Sequence, residues 1–242
     1  VLYLVGLLIT IGCLTARMSS SAKLVSPEWR VQAKSADSGN EKGSAMSKGR
    51  VTREHILKTA FDLASKDGLD SLTIGQLAKA SGMSKSGLFA HFNSKENLQV
   101  SVLQYAGDYF ALHVIQPVRR IQFDSVEQKL RSLLSHWLAW NHSFQGRCMF
   151  IDAWKERRHG DDSVQLELDI ITRRWLDYLC LQVEKGKLSG EFRADLDTWQ
   201  SVFRLYGAYL SSQLFHSLAL EDDESRRFWC EVETVFAEWR TP

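Results

Sequence analysis

Proline is scarce, with three residues in 242, and glycine reaches only 15. That excludes collagen-like and proline-rich chains. It also argues against a many-stranded β protein, whose turns need both residues often. Cysteine is equally sparse. Cys13, Cys148, Cys180 and Cys230 lie far apart with no CxxC pair, which excludes a zinc ribbon and disfavours a disulfide scaffold. A reducing, cytoplasmic setting is expected. The opening run VLYLVGLLITIGCL is shorter than the roughly 20 apolar residues of a membrane span and lacks the basic lead of a secretory signal. Catalytic signatures are missing too: there is no HExxH, GxSxG, phosphate-binding P-loop or GxGxxG after a strand. His113, His136, His142, His159 and His216 fall at no metal spacing, and Asp152 with Glu156 reads as a solvated helix face. No enzyme, no cofactor and no metal are expected.

The charge that is present is unevenly placed. Residues 46–98 carry eight basic and five acidic side chains, and residues 99–242 carry seventeen and twenty-one. Seven of the eight tryptophans lie in the second stretch. A small basic unit (46–98) and a larger acidic, aromatic one (99–242) are expected to do two jobs. Residues 17–45 show no sustained period and read as disordered linker. The native product is expected to begin at Met46 or Met18, with no membrane partner; a tether through Val1–Leu14 is the alternative.

The basic unit is punctuated as helices. In 52–67, Ile56, Leu57, Ala60, Phe61, Leu63 and Ala64 form one stripe at the 3.6-residue period, with Thr52 as cap and Gly68 as a left-handed stop. Thr73 and Gln76 fit a capping box that opens a short helix ending at Ser81-Gly82. Ser84 caps a second short helix through Phe92. Asn93-Ser94-Lys95-Glu96 offers another capping box, for a long helix running toward His113. Two short helices about a tight glycine turn are a helix-turn-helix signature.

This arrangement suits DNA. The second short helix shows Lys85, Ser86 and Gly87 at its amino end, small enough for close approach to base edges, while Leu88 and Phe92 pin its other face inward. Thr73, His91 and Lys95 sit at helix ends, where donors and dipoles favour phosphate. Lys48, Arg50 and Arg53 can add a cationic arm.

The run SLTIGQLAKASGMSKSGLFAHFNSKENL (71–98), preceded by TREHILKTAFDLASKDGLD, resembles the DNA-binding domain of tetracycline-repressor (TetR/AcrR-type) transcriptional regulators. The resemblance implies an all-α chain: a three-helix N-terminal helix-turn-helix domain, then a larger helical ligand-binding and dimerisation domain. It implies phosphate contacts at Thr73, His91 and Lys95 and base reading by Lys85, Ser86 and Gly87. Where the family usually has a tyrosine, this chain has Phe89, followed by Ala90. DNA affinity is therefore expected to lean on Lys95 and on the arm, including Arg50.

The second unit carries further amphipathic stretches. The helix from Ser94 shows Leu98, Val102, Tyr105, Tyr109 and Leu112, and Pro117 marks its end or a bend. Asp124–Asn141 follows, then a short apolar piece after Gly146. A long helix runs from Ser163 to about Lys185, where Gly186 is expected to stop it. The segment GRCMFIDAWKERRHGDDSVQLELD (146–169) resembles a ligand-domain segment of one branch of the family. Trp137, Trp140, Phe150, Trp154 and Trp175 are candidates to line a cavity for a small apolar or aromatic effector, or else are plain core. Two C-terminal stripes, Trp199, Phe203, Tyr206, Leu210 and Leu214, then Phe228, Trp229, Val232 and Phe236, are either intramolecular core or, by the resemblance, halves of a four-helix dimer interface.

The expectation is a homodimeric, ligand-responsive repressor on a palindromic double-stranded operator. A helical ligand-binding protein that has lost DNA binding is the alternative, supported by Phe89 and Ala90.

Overall fold

The computed structural model describes residues 43–142, 148–155, 162–220 and 225–241, the side chains of 43–51, 141 and 142 excepted. The expectations for Val1–Leu14 and for the linker over 17–42 lie outside the described residues, while residues 43–45, also expected as linker, belong to a helix. Helix α1 spans Gly43–Asp67 and so starts upstream of Thr52. GSAMSKGRV holds no proline, its two glycines cost a helix only about 1 kcal/mol each, and a threonine able to cap a helix can also sit inside one. Ile56, Ala60, Phe61 and Ala64 are buried. The helix closes at Gly68, whose φ is +92° and whose N–H reaches the Ala64 carbonyl at 2.9 Å.

Helices α2 (Ile74–Ser81) and α3 (Lys85–Phe92) follow, and then α4 (Lys95–Phe110). Ser94 caps α4 by accepting from the Asn97 N–H, so the bond falls one residue beyond the expected Glu96. The chain then widens into a π-helical turn, Ala111–Ile115, before a last turn, α5 (Gln116–Arg119). The Gln116 N–H bonds the Ala111 carbonyl, five residues back. Pro117 has no N–H for the carbonyl four residues before it, and its ring crowds that position. A π turn just ahead of it is one way to absorb the mismatch.

The rest is α6 (Val126–His142), α7 (Met149–Lys155), α8 (Ser163–Leu188), α9 (Thr198–Ser217) and α10 (Arg226–Trp239). Gly186 does not stop α8. It lies inside the helix because a methyl there would overlap the ring of Phe192, and the chain turns instead at Gly190, φ +77°. Helix α6 is capped from a distance: the Glu191 carboxylate accepts from the N–H groups of Val126 and Glu127 at 2.6 and 2.8 Å.

Among the described residues there is no strand, only a lone antiparallel bridge joining Phe192 and Arg240. No described helix is long and apolar enough to cross a membrane. Helix α4 ties the assembly together, packing on α1 at one side and on α8 at the other. One apolar core runs from Ile56 through Leu103, Leu134 and Leu179 to Trp239.

Candidate nucleic-acid interface and inner cavity

The turn between α2 and α3 is built from caps. The Thr73 hydroxyl accepts from the Gln76 N–H at 3.1 Å and donates to Gln76 Oε1 at 2.9 Å, while the Thr73 N–H returns to Oε1 at 3.0 Å. Gly82 takes φ +68° to end α2, and the Met83 N–H closes on the Ala78 carbonyl. Ser84 then starts α3, accepting from the Gly87 N–H at 3.1 Å. At Gly87 a Cβ would come within 3.2 Å of the Ser84 oxygen, a tight contact with the capping side chain.

Leu88 and Phe92 are buried under α3, whereas Lys85, Ser86, Phe89 and Ala90 are exposed on its opposite face. Burying a leucine or phenylalanine contributes roughly 1.5–3 kcal/mol, which suffices to fix which face of a two-turn helix points outward. Lys85 leans over the first turn of α2, its Cε and Nζ lying 3.7 and 3.9 Å from where a Cβ on Gly75 would be.

Three side chains lock this head to its neighbours. Lys95 Nζ donates to the Asp70 carbonyl at 2.7 Å, and Gln99 Nε2 donates to the Leu69 carbonyl at 2.9 Å, so α4 holds the α1–α2 loop at two points. Arg53 is not a free arm. Its Nη1 donates to the His91 carbonyl at 3.2 Å and its guanidinium lies 5.0 Å over the Phe92 ring, tying α1 to α3. Arg53 is half-buried, as is His91. Position alone placed Arg53 beside Lys48 and Arg50; helical phase turns it inward. Arg50 lies on α1, but its side chain is outside the described residues.

Trp137, Trp140, Phe150 and Trp175 come together around one cavity with Phe110, Cys148, Ile171, Thr172, Tyr206 and Tyr209. Its volume is about 30 Å³. Phe110 meets Trp140 and Trp175 edge-on at 5.3 and 5.1 Å, and Trp137 stacks on Tyr209 at 3.7 Å. Trp154 does not join them. It is 53% exposed, because α7 presents Met149 and Ala153 to the core and turns Trp154 outward. Sequence reading missed Phe110, Tyr206 and Tyr209 as wall residues. Burial keeps the Tyr206 phenol up at about 12 and pushes Tyr209 and the Cys148 thiol above their ordinary values.

The two C-terminal stripes part company. Trp199, Phe203, Leu210 and Leu214 on α9 are exposed, Phe203 at 70%. Tyr206 faces the cavity instead, 5.2 Å from the Trp137 ring. Phe228, Val232 and Phe236 of α10 are fully inside the protomer's own core, and Trp229 packs half-buried against it. These three cannot offer surface to a second chain. An amphipathic stripe looks the same whether its partner is intramolecular or not. Between α9 and α10 the small residues Gly207, Ala208 and Ser211 help line a groove of about 400 Å³.

Known proteins match both parts of the chain. Residues 56–102 match the family model for bacterial regulatory proteins of the tetR family, and residues 126–232 match the tetracyclin repressor-like C-terminal domain. The HTH-type transcriptional regulator AcrR of Shigella flexneri is 40% identical over 47 residues, 19% of this chain and 22% of that protein. The HTH-type transcriptional repressor NicS of Pseudomonas putida is 31% identical over 84 residues, 35% of this chain and 39% of that one. The chain thus spans about two fifths or less of the curated relatives it matches. A TetR-family transcriptional regulator from Cytophaga hutchinsonii shares the fold with a TM-score of 0.69 at 17% identity, over 81% of this chain and 98% of its own. With both halves matched in the same order and a helix-turn-helix of the expected build, the chain belongs to the TetR family of transcriptional regulators.

Proposed function

We propose that the protein is a homodimeric repressor that binds a palindromic operator and releases it when a small apolar or aromatic effector enters the inner cavity. One observation carries this reading: Lys85, Ser86 and Gly87 stand at the open amino end of a short helix whose other face is pinned by Leu88 and Phe92. Such an end fits a major groove, and two copies about 34–36 Å apart meet successive turns of a duplex. Thr73, His91, Lys95 and Arg50 serve the flanking phosphates. The Lys95 ammonium has one proton committed to Asp70 and two left for a phosphate oxygen.

Pairing uses the exposed stripe of α9. Trp199, Phe203, Leu210 and Leu214 recur at helical spacing on one face, and an apolar stripe of this kind on a protein surface marks an association site. Two such helices packed about a twofold axis bring the heads into a symmetric pair.

Release runs through α4. Its first two turns grip the Asp70 and Leu69 carbonyls of the head, and its last turn carries Phe110 into the cavity wall. A cavity of about 30 Å³ has no room for an aromatic effector, so such a ligand must part the rings, and a shifted Phe110 carries α4 with it. The effector lowers DNA affinity only by its preference for the shifted state, about 1–3 kcal/mol in ordinary cases. Gel shift of DNA from upstream of the protein's own gene tests the reading. A retarded complex is expected, and unaltered mobility with folded dimer present would overturn it.

A further inference from the structure

Two residues of the cavity wall each carry a polar atom with no hydrogen-bond partner. The Trp175 indole N–H and the Tyr209 hydroxyl are both shut away from solvent, and neither makes a hydrogen bond. Their residues are 5% and 1% exposed. Phe110 and Trp137, the rings that meet Trp175 edge-on, carry no lone pair able to receive its proton. The Tyr209 hydroxyl has only the Cys148 thiol, a weak acceptor, and the Trp137 indole, which has no lone pair to offer, as polar neighbours, and Cys148 lines the same cavity. Burial holds the Tyr209 phenol in its neutral form, as a donor.

Five buried side-chain polar atoms of the described residues lack a partner, and the fall of two of them, both donors, on residues of one wall calls for an explanation. An oxygen acceptor brought in by a ligand supplies it. Among the described residues the remaining wall is rings, Ile171, Thr172 and Cys148, with no charged side chain. An ionic ligand would therefore be stripped of water and meet no counter-charge.

We infer that the effector is a neutral aromatic molecule bearing a carbonyl-type oxygen, and that Trp175 and Tyr209 are the residues that select it. This rests on the proposed role of the cavity as the effector site. It adds a chemical class and two specificity-determining side chains.

Three matched probes test it by titration of tryptophan fluorescence in the full chain: acetophenone, isopropylbenzene and benzoate. Acetophenone is expected to bind about tenfold or more tighter than isopropylbenzene, because a site with unpaired donors penalises the analogue that lacks the acceptor. Benzoate should bind weakest. Tyr209→Phe and Trp175→Phe should each move the ratio of acetophenone to isopropylbenzene affinity toward one. Tyr209→Phe keeps the ring and removes one oxygen, so it decides the matter if the tryptophan variant fails to fold. Equal affinity for acetophenone and isopropylbenzene, or benzoate as the tightest, overturns the inference. Thr172→Phe fills the cavity and separates the two readings. Acetophenone binding that survives it lies elsewhere, so the effector site falls and this inference with it. Binding that Thr172→Phe abolishes but that ignores the carbonyl leaves the cavity as effector site and removes only the selectivity claim. No binding of any probe at millimolar concentration counts against both.

Discussion

Trp140 and Phe61 lie with ring centroids 6.2 Å apart, one a wall of the inner cavity and the other the buried centre of α1. Tyr109 of α4 completes the triangle, 5.5 Å from Phe61 and 5.7 Å from Trp140. Any displacement of Trp140 by a ligand is thus met directly by a side chain of the DNA-binding unit. Close-packed rings shift between discrete arrangements rather than deforming smoothly. Phe61→Leu keeps most of the volume and removes the ring edge. It is expected to leave operator affinity within about threefold while coupling to the cavity falls by a similar or larger factor. The measurement is the ratio of operator dissociation constants with and without saturating acetophenone. A ratio unchanged from the parent would mean that the signal bypasses these rings.

The DNA-reading unit was legible because its instructions are local. Thr73 with Gln76, Gly82, Ser84 and Gly68 each fix a cap or stop within four residues of themselves, and each adopts the expected geometry. What stayed hidden depends on distant partners. Glu191 caps α6 from 65 residues away, Arg53 turns inward because Phe92 and the His91 carbonyl await it, and Gly186 is needed by Phe192 rather than by a turn. The stripes of α9 and α10 look alike in sequence, yet α10 spends Phe228, Val232 and Phe236 on the protomer's own core. Tyr209 and Phe110 escaped notice as cavity residues because period alone says that a side chain is inside, not which neighbours it meets.

Lys95 joins the α1–α2 loop to α4 and stands exposed at the edge of the reading head. Lys95→Ala should weaken binding to every duplex alike, because a phosphate contact carries no base information. The slope of log affinity against log salt should fall by about one for each protomer that loses the contact. Fluorescence anisotropy on operator and on scrambled duplex, at several salt concentrations, measures both. Loss confined to the operator would assign Lys95 to base reading instead.

Glu127 contributes to stability in a pH-dependent way. Its carboxylate accepts from Arg240 at 2.7 and 2.8 Å and from Arg131 at 2.7 and 2.9 Å. Those arginine hydrogen bonds, Arg240 first, hold its pKa below the usual 4.5 despite burial. With the folded value lower than the unfolded one, the unfolded chain binds more protons between the two. The stabilisation is therefore complete above about pH 4.5 and is lost as pH falls through the folded value. Glu127→Gln should be less stable than the parent at neutral pH, and the two should converge in acid. Urea denaturation at pH 7 and at pH 3.5 checks the sign. A gap that widens in acid would show that other groups dominate.

Phe203 is the most exposed aromatic side chain of the α9 stripe, so its substitution costs the protomer little. Surface replacements away from caps and cores usually change stability by within about 0.5 kcal/mol. At the centre of a twofold interface the same replacement acts twice, and an aspartate there would be stripped of water beside its own copy with no cation opposite. Phe203→Asp is accordingly expected to keep its helical circular dichroism and to sediment as a monomer. Binding to a full palindrome should fall to that of a single head, since linking two heads multiplies affinity by their effective concentration. A variant that remains dimeric would move the interface off α9. A monomer that still binds the palindrome tightly would break the link between pairing and recognition.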